Sequence, residues 1–306
     1  MLLDLLVRHR DRLRPLHPDT PQTRQLQFLT EQRRQWVNGR TSLGHRLTAA
    51  LKLYYPQVLN WFEEITAPIV LDWLERWPTL EKLQRARPAT IEQFLIDHGR
   101  RDADRIAQQL AEIRCARPAV LDPVVIDSCR LNVQTLAGLL KPLHASIAAY
   151  DRQIESVAES HPDYRIVKSF PGAGPALAPR ILAALGTRRD RFADAGALQS
   201  FTGIAPILQQ SGSQRGVRWR IACPKFIRQT IHEWAQHSMK KCEWARIFYQ
   251  GKRDVGKGHH AAVRALAFKW LRILFRCWRD GVAYDEALYL RKVRDRLLPK
   301  NILKAS

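Results

Sequence analysis

Apolar side chains recur every three or four residues over most of this chain, and that rhythm predicts helices. From Thr23 to Tyr55 the positions Leu26, Leu29, Trp36, Leu43, Leu47, Leu51 and Tyr54 form one stripe, while Arg24, Arg33, Arg34, Arg40 and Arg46 take the other faces. A second long helix carries Leu136, Leu140, Leu143, Ile147, Tyr150, Ile154 and Val157 in steps of four and three. That seam, sustained for about three heptads, needs a partner helix, and the first long helix is the nearest candidate. The expected arrangement is a long antiparallel coiled-coil helical hairpin over residues 21–160. Pro142 lies inside the second helix and predicts a kink or a late start. Between the two, residues 60–120 read as short helices punctuated by Pro68, Pro78, Pro88 and Pro118, with Trp61, Trp73, Trp77 and Phe94 as core.

A different unit, residues 161–290, begins after His161-Pro162. It reads as all-α, and the fold class as a whole as mainly α, with no convincing run of alternating strand residues. Its last long helix, His260 to Arg279, puts Leu266, Trp270, Leu274 and Trp278 on one face. A basic tail, residues 291–306, follows.

The stretch SFPGAGPALAPRILAALG, Ser169–Gly186, has the clearest local chemistry. Pro171-Gly172-Ala173-Gly174 separates a short helix, about Tyr164 to Ser169, from a helix over Pro175–Leu185. Gly172 and Gly174 permit positive φ and close backbone approach. Pro175 suits a first helical turn and Gly186 a helix stop. Two short helices joined in this way resemble a helix-hairpin-helix, whose turn amides and second-helix N-terminus face a DNA phosphate. The alternative is an ordinary helix–turn–helix corner. A weaker second copy follows: a helix from Phe192 to Phe201, then the turn Gly203-Ile204-Ala205-Pro206.

Charge favours the phosphate reading. The chain has 50 Lys and Arg against 29 Asp and Glu, a net charge of +21. The segment Gln214–Arg279 holds 16 of those cations and only 3 of the acids, so the excess is a local basic surface. Such a surface points to a polyanion and disfavours a structural helical protein charged only for solubility. No run of roughly 18 apolar residues predicts a membrane span. The five cysteines are scattered without a C-x-x-C pair, which argues against a zinc site and a disulfide framework and fits a reducing cytoplasm. His259-His260 has no spaced third ligand and reads as a surface pair or helix start.

The order PGAGPALAPRILAALG, RFADAGALQSFTGIAP, QQSGSQRG and RDGVAYD resembles the C-terminal domain of insertion-sequence transposases of the IS110/IS116 group. LLVRHRDRLRPLHPD and the Arg-rich helix after it are similar to the part of those proteins that follows their nuclease motifs. The resemblance implies a DNA recombinase of the DEDD type, with residues 1–20 as the end of a RuvC-like domain. In that family the RuvC-like part binds metal through four acidic residues and the C-terminal domain supplies a serine nucleophile. Ser211-Gly212 matches the family's Ser-Gly motif, which makes Ser211 the candidate catalytic residue, with Ser213 the fallback. Read alone, Ser-Gly is a turn. None of the four acids maps onto this sequence: Asp4 and Asp11 fall after the family's last Asp pair. The expectation is therefore that this chain binds no cofactor, with Mg2+ only alongside the nuclease part. The resemblance also implies homo-oligomers, here through the coiled coil, a structured guide RNA, and a nucleoid-associated cytoplasmic location.

A serine hydroxyl needs activation before it attacks phosphorus. Arg215, Arg218 and Arg220 follow Ser211 closely and could offset charge on a pentavalent phosphate. Lys225 and Arg228 continue the run as phosphate contacts, and Trp219 could stack on a base or join the core. The expected DNA-binding set is Pro171, Gly172, Gly174, Gly203, Arg215, Arg218, Arg220, Lys225 and Arg228. Two readings stay open: a serine recombinase, or a truncated remnant that binds DNA or RNA without catalysis.

Overall fold

A computed structural model describes residues 2–10, 17–212, 214–218 and 220–297, with side chains for all but residues 2, 208, 211, 214, 215, 217 and 292–297. Within these residues the helices are α1 Leu2–Arg8, α2 Pro21–Tyr54, α3 Gln57–Trp61, α4 Pro68–Arg76, α5 Leu80–Gln84, α6 Pro88–Asp97, α7 Ala103–Cys115, α8 Pro123–Glu159, α9 Tyr164–Lys168, α10 Ala178–Leu185 and α11 Ala195–Phe201. Strands β1 Ile207–Ser211 and β2 Gln214–Arg218 follow, then α12 Lys225–Ser238, α13 Glu243–Asp254, α14 His259–Asp280 and α15 Glu286–Leu297. The fold is mainly α, as the periodicity predicts. It divides into two compact units, Met1–Glu31 with Arg152–Ser306, and Gln32–Asp151.

The unit Gln32–Asp151 is built on an aromatic core. Trp73 is fully buried and meets Trp77 at 4.9 Å and Phe62 at 5.3 Å between ring centres, both edge-on. Phe94 completes the cluster 5.1 Å from Trp77. Edge-to-face pairs of this kind add to the large area each ring removes from water. Leu47, Leu51 and Tyr54 of α2 and Val133, Leu136 and Leu140 of α8 are buried in the same cluster, so both predicted seams face inward. Trp36 departs from its stripe and is 44% exposed. An Arg33–Asp151 ion pair joins α2 to α8 near the end of this unit. The helix α8 begins at Pro123, where its missing N–H costs nothing, and Asp122 accepts from the Val124 amide at 2.9 Å. It continues through Pro142, so that proline is not a helix start.

In the other unit α14 is the central post. Leu266, Trp270, Leu274 and Trp278 are all buried, as the four-residue spacing predicts. Each large indole also finds an acceptor. Trp270 Nε1 donates to Ser238 Oγ at 2.8 Å, Trp278 Nε1 to the Gly186 carbonyl at 3.2 Å, and Trp234 Nε1 to the Pro171 carbonyl at 3.1 Å. The chain before α2 is tied in by Asp19, which accepts from the Thr187 amide at 2.8 Å and from Arg191 at 3.0 Å. At the start of α2, the His161 ring lies between the Thr23 hydroxyl and the Asp163 amide, both at 3.1 Å.

Three boundaries differ from the sequence reading. The helix expected from Pro175 starts at Ala178, because the Leu177 and Ala178 amides both close onto the Gly174 carbonyl in a turn. Pro179 takes the first-turn place. The helix expected from Phe192 starts at Ala195, where the Asp194 carboxylate caps the Ala197 amide at 2.7 Å; Phe192 instead packs on Phe201 and Trp278. Residues 291–297, assigned to the basic tail, continue the helix α15, and residues 298–306 of that tail lie outside the described residues.

Candidate nucleic-acid interface

The Pro171–Gly174 turn is pinned from beneath. Gly172 has φ +79, in the left-handed region, and a Cβ there would lie 2.6 Å from the Ser238 nitrogen and 2.8 Å from the His237 carbonyl carbon. Gly172 is thus glycine because the turn rests on the backbone at the end of α12. Ser238 is fixed in turn, accepting from Trp270 and donating to the Ala235 carbonyl at 2.7 Å. On the other side Trp234 holds the Pro171 carbonyl. Past the turn, Arg180 of α10 is paired with Glu233 of α12 at 2.9 Å and stacks 4.7 Å over Phe226.

Gly174 is different. A Cβ at Gly174 would meet nothing within 4 Å. Among the described residues, the Gly172, Gly174 and Ala176 amides meet no hydrogen-bond acceptor of the chain. Gly172 and Gly174, but not Ala176, line an open groove of about 760 Å³, together with the rest of the turn and Lys168, His237, Lys240, Lys241 and Glu155. Backbone N–H groups without an acceptor beside lysine ammonium groups suit a phosphodiester oxygen. Lys240 and Lys241 follow the C-terminal end of α12, where the macrodipole favours cations. Sequence reasoning missed Lys168, Lys240 and Lys241. The available signal was Lys168 immediately before Ser169 and the Lys-Lys pair, but only the fold brings them together.

The remaining expected residues lie elsewhere. Gly203 has φ +72, and a Cβ there would lie 2.3 Å from Cys223 Sγ and 3.3 Å from Arg228 Cδ. The second turn therefore turns its glycine inward onto the start of α12. Arg228 donates to the Arg220 carbonyl at 3.0 Å. Lys225 opens α12 and is exposed, as is Arg218. So the Pro171–Gly174 turn touches one end of α12, and Gly203, Arg220, Lys225 and Arg228 gather at the other.

A short antiparallel hairpin joins them there, pairing Ile207 with Arg218 through Ser211 with Gln214. The sequence reading found no strand here because ILQQS and QRGVR hold few apolar positions from which to read an alternation. Ser211 is the last paired residue of β1, and Gly212, at φ +58, begins the turn. The Ser211 and Arg215 side chains, Ser213 and Trp219 lie outside what the structure describes.

The five cysteines form no disulfide, and His259 and His260 open α14. Among the described residues no three His, Cys, Asp or Glu side chains come together as a metal site. No described helix is long and apolar enough to cross a membrane.

Comparison with known proteins bears on this surface. Residues 164–250, which hold the glycine turn, the β-hairpin and α12, match the family model described as transposase IS116/IS110/IS902 family. Residues 1–56 match a second transposase model, of the IS110 DEDD type. The chain is 31% identical over 280 residues to the mini-circle putative transposase for IS117 of Streptomyces coelicolor, covering 89% of this chain and 67% of that protein. It is 27% identical over 285 residues to an uncharacterized 42 kDa protein of insertion element IS900 from Mycobacterium paratuberculosis, covering 92% and 70%. A 44.8 kDa uncharacterized protein of IS116 from Streptomyces clavuligerus is 29% identical over 265 residues, covering 86% and 65%. The chain spans about two thirds of the length of these relatives.

Proposed function

Because the chain belongs to the IS116/IS110/IS902 family of transposases, we propose that it holds DNA by its phosphate backbone at the Pro171–Gly174 groove and cuts it with Ser211. The observation that carries the binding half is the pair of unengaged amides at Gly172 and Gly174 in one groove with Lys168, Lys240 and Lys241. Contacts of this kind grip without reading sequence. The two short helices α9 and α10 then serve as a helix-hairpin-helix.

In the chemical half, Ser211 Oγ attacks a phosphodiester phosphorus. One O–P bond forms and the bond to a deoxyribose oxygen breaks, that oxygen leaving with the proton the serine gives up. The product is a phosphoserine link to DNA. Arg215 and Arg218 on the facing strand and Arg220 just beyond it offset the added charge. The position of Ser211 at the end of β1, beside the turn, supports this role, since a nucleophile must reach into the substrate. Oligomers form through a coiled coil of α2 and α8, and a structured RNA could occupy the same phosphate groove.

The binding half is tested by duplex affinity against salt. Lys168→Gln, Lys240→Gln and Lys241→Gln together should lower the slope of log affinity against log salt by about 3, one for each lysine–phosphate interaction removed. An unchanged slope would overturn the groove. The chemical half is tested by trapping a covalent protein–DNA adduct in the intact element's transposase. The adduct should vanish in Ser211→Ala while the salt-dependent affinity stays. An adduct that persists removes Ser211 from the reaction; binding without any adduct in the unaltered protein favours a binding-only role.

A further inference from the structure

The unit Gln32–Asp151 contains a groove of about 580 Å³ that the DNA reading leaves unused. Apolar side chains line much of it: Trp61, Phe62, Ile69 and Val70, which run from the end of α3 into α4, and Ile106 of α7. Two polar side chains join them, Arg100 from the link before α7 and Gln109 of α7 itself. The two are locked together. Arg100 Nη1 donates to Gln109 Oε1 at 2.9 Å, and Arg100 Nη2 donates to the Trp61 carbonyl at 3.0 Å. The guanidinium carbon lies 4.8 Å over the Phe62 ring.

Donors outnumber acceptors at this spot. Gln109 is only 5% exposed, yet its Nε2 meets no acceptor among the described residues. Arg100 is half-buried and forms no ion pair among them; the exposed Arg105 beside it takes Asp102 at 3.9 Å. Burial pulls the Arg100 pKa down, Arg105 pulls it further, and Glu63 opposes both. Buried donors without an acceptor are unfavourable, and a carboxylate matches the guanidinium fork with its two oxygens. A plain anion is disfavoured, however, because the exposed Glu63, Glu64 and Glu112 line the same groove. The Thr66 hydroxyl donates to Glu64 and holds its pKa below the usual carboxylate value, so Glu64 stays ionised. The complement to this lining carries a carboxylate, a cation and apolar groups in one molecule.

We propose that this groove binds a short apolar peptide with free termini, its carboxylate on Arg100 and Gln109, its ammonium on Glu63 and Glu64, and its side chains against Trp61, Phe62 and Ile69. An apolar pocket with a few polar groups that fix orientation is the usual form of a small-ligand site. Arg100 arrives pre-organised, since Gln109, the Trp61 carbonyl and the Phe62 ring already hold it, so little side-chain freedom is lost on binding. The site uses no residue of the Pro171–Gly174 groove or of the Ser211 hairpin and does not rest on the DNA reading.

The test is calorimetric titration of the full chain with the tripeptide Leu-Ala-Leu, its N-acetylated form and its C-terminal amide. The free tripeptide should bind, and blocking the carboxylate should weaken it by roughly tenfold or more, the loss of hydrogen bonds to a charged group. Acetylation should weaken it as well. Arg100→Lys, checked for native thermal stability, keeps the charge but loses the fork and should weaken the free tripeptide. Glu63→Gln changes an exposed side chain and leaves the fold alone; it should weaken the free tripeptide and leave the acetylated form no weaker. No binding of the free tripeptide overturns the proposal, as does equal binding of either blocked form. Displacement of the tripeptide by a short DNA duplex would give the groove to nucleic acid and also overturn it. The Lys168, Lys240 and Lys241 variant should bind the tripeptide unchanged, which separates this site from the DNA groove.

Discussion

Gly172 and Gly174 are two residues apart in one turn, yet the structure gives them different jobs, and alanine at each position separates them. At Gly172 an alanine must adopt φ +79, which costs about 1–2 kcal/mol for a residue with a Cβ. Its Cβ would also sit 2.6 Å from the Ser238 nitrogen and 2.8 Å from the His237 carbonyl carbon. Both are backbone atoms, and Ser238 is held through Trp270, so the contact cannot be relieved by a side-chain rotation. Overpacking of that kind adds about 1–3 kcal/mol. Gly172→Ala should therefore lose about 2–5 kcal/mol, or about 6–15 °C in melting temperature for a unit of this size. Gly174→Ala meets no atom within 4 Å and has no positive φ, so its stability should stay within about 0.5 kcal/mol of the parent. Its methyl group would enter the groove proposed to take a phosphate, and on that proposal duplex affinity should fall several-fold. Denaturant melts and fluorescence anisotropy on a labelled duplex read the two effects. Equal stability of the two variants would refute the division of labour, as would unaltered DNA affinity in Gly174→Ala.

Three further outcomes follow from the same unit. His161 is buried, and because its Nδ1 accepts from the Asp163 amide the ring is neutral, with Nε2–H donating to Thr23. Burial holds its pKa below the usual imidazole value, against the pull of Asp163 and Asp19. The unfolded chain then binds the extra proton first, so stability is full above about pH 6.5 and declines below it by up to about 1.4 kcal/mol per pH unit; His161→Gln should flatten that slope in denaturant melts between pH 7.5 and 5.5, and an unchanged slope would count against the neutral ring. Gly203→Ala forces φ +72 and drives a Cβ to 2.3 Å from Cys223 Sγ and 2.8 Å from Cys223 Cβ, so its melting temperature should drop; Cys223→Ala should recover only the part due to the sulfur, and neither the contact with the remaining Cβ nor the backbone part, as a double-mutant cycle would show. Trp270→Phe removes the donor to Ser238 Oγ and should cost about 1–3 kcal/mol beyond the loss of ring area, and a melt indistinguishable from the parent would remove that bond from the account.

The long-period features were legible in the chain because they are local. Leu266, Trp270, Leu274 and Trp278 recur at helical spacing, and all four are buried. Gly186 ends α10 at φ +74, as a glycine after an apolar run suggests. What the chain did not reveal depends on residues distant in sequence. The reason for glycine at 172 is the backbone of Ser238, and the reason at 203 is Cys223. The lysines of the groove come from the end of α9 and the residues after α12, and no spacing rule links Lys168 to Lys240. The β-hairpin escaped notice because ILQQS and QRGVR are short and mostly polar, so register is set by pairing rather than by a buried face.

The helix α12 has a consequence as a spacer. The Pro171–Gly174 turn rests on its last residue, Ser238, while the root of the Ser211 hairpin gathers around Arg228 in its first turn. From Lys225 to Ser238 an α-helix advances about 20 Å. Along one DNA strand that distance corresponds to about six phosphates. A hydrogen-bonded helix does not stretch, so the distance between the glycine turn and the root of the hairpin is fixed by the helix itself, and any strand gripped as proposed at the turn would meet the hairpin at a set number of phosphates.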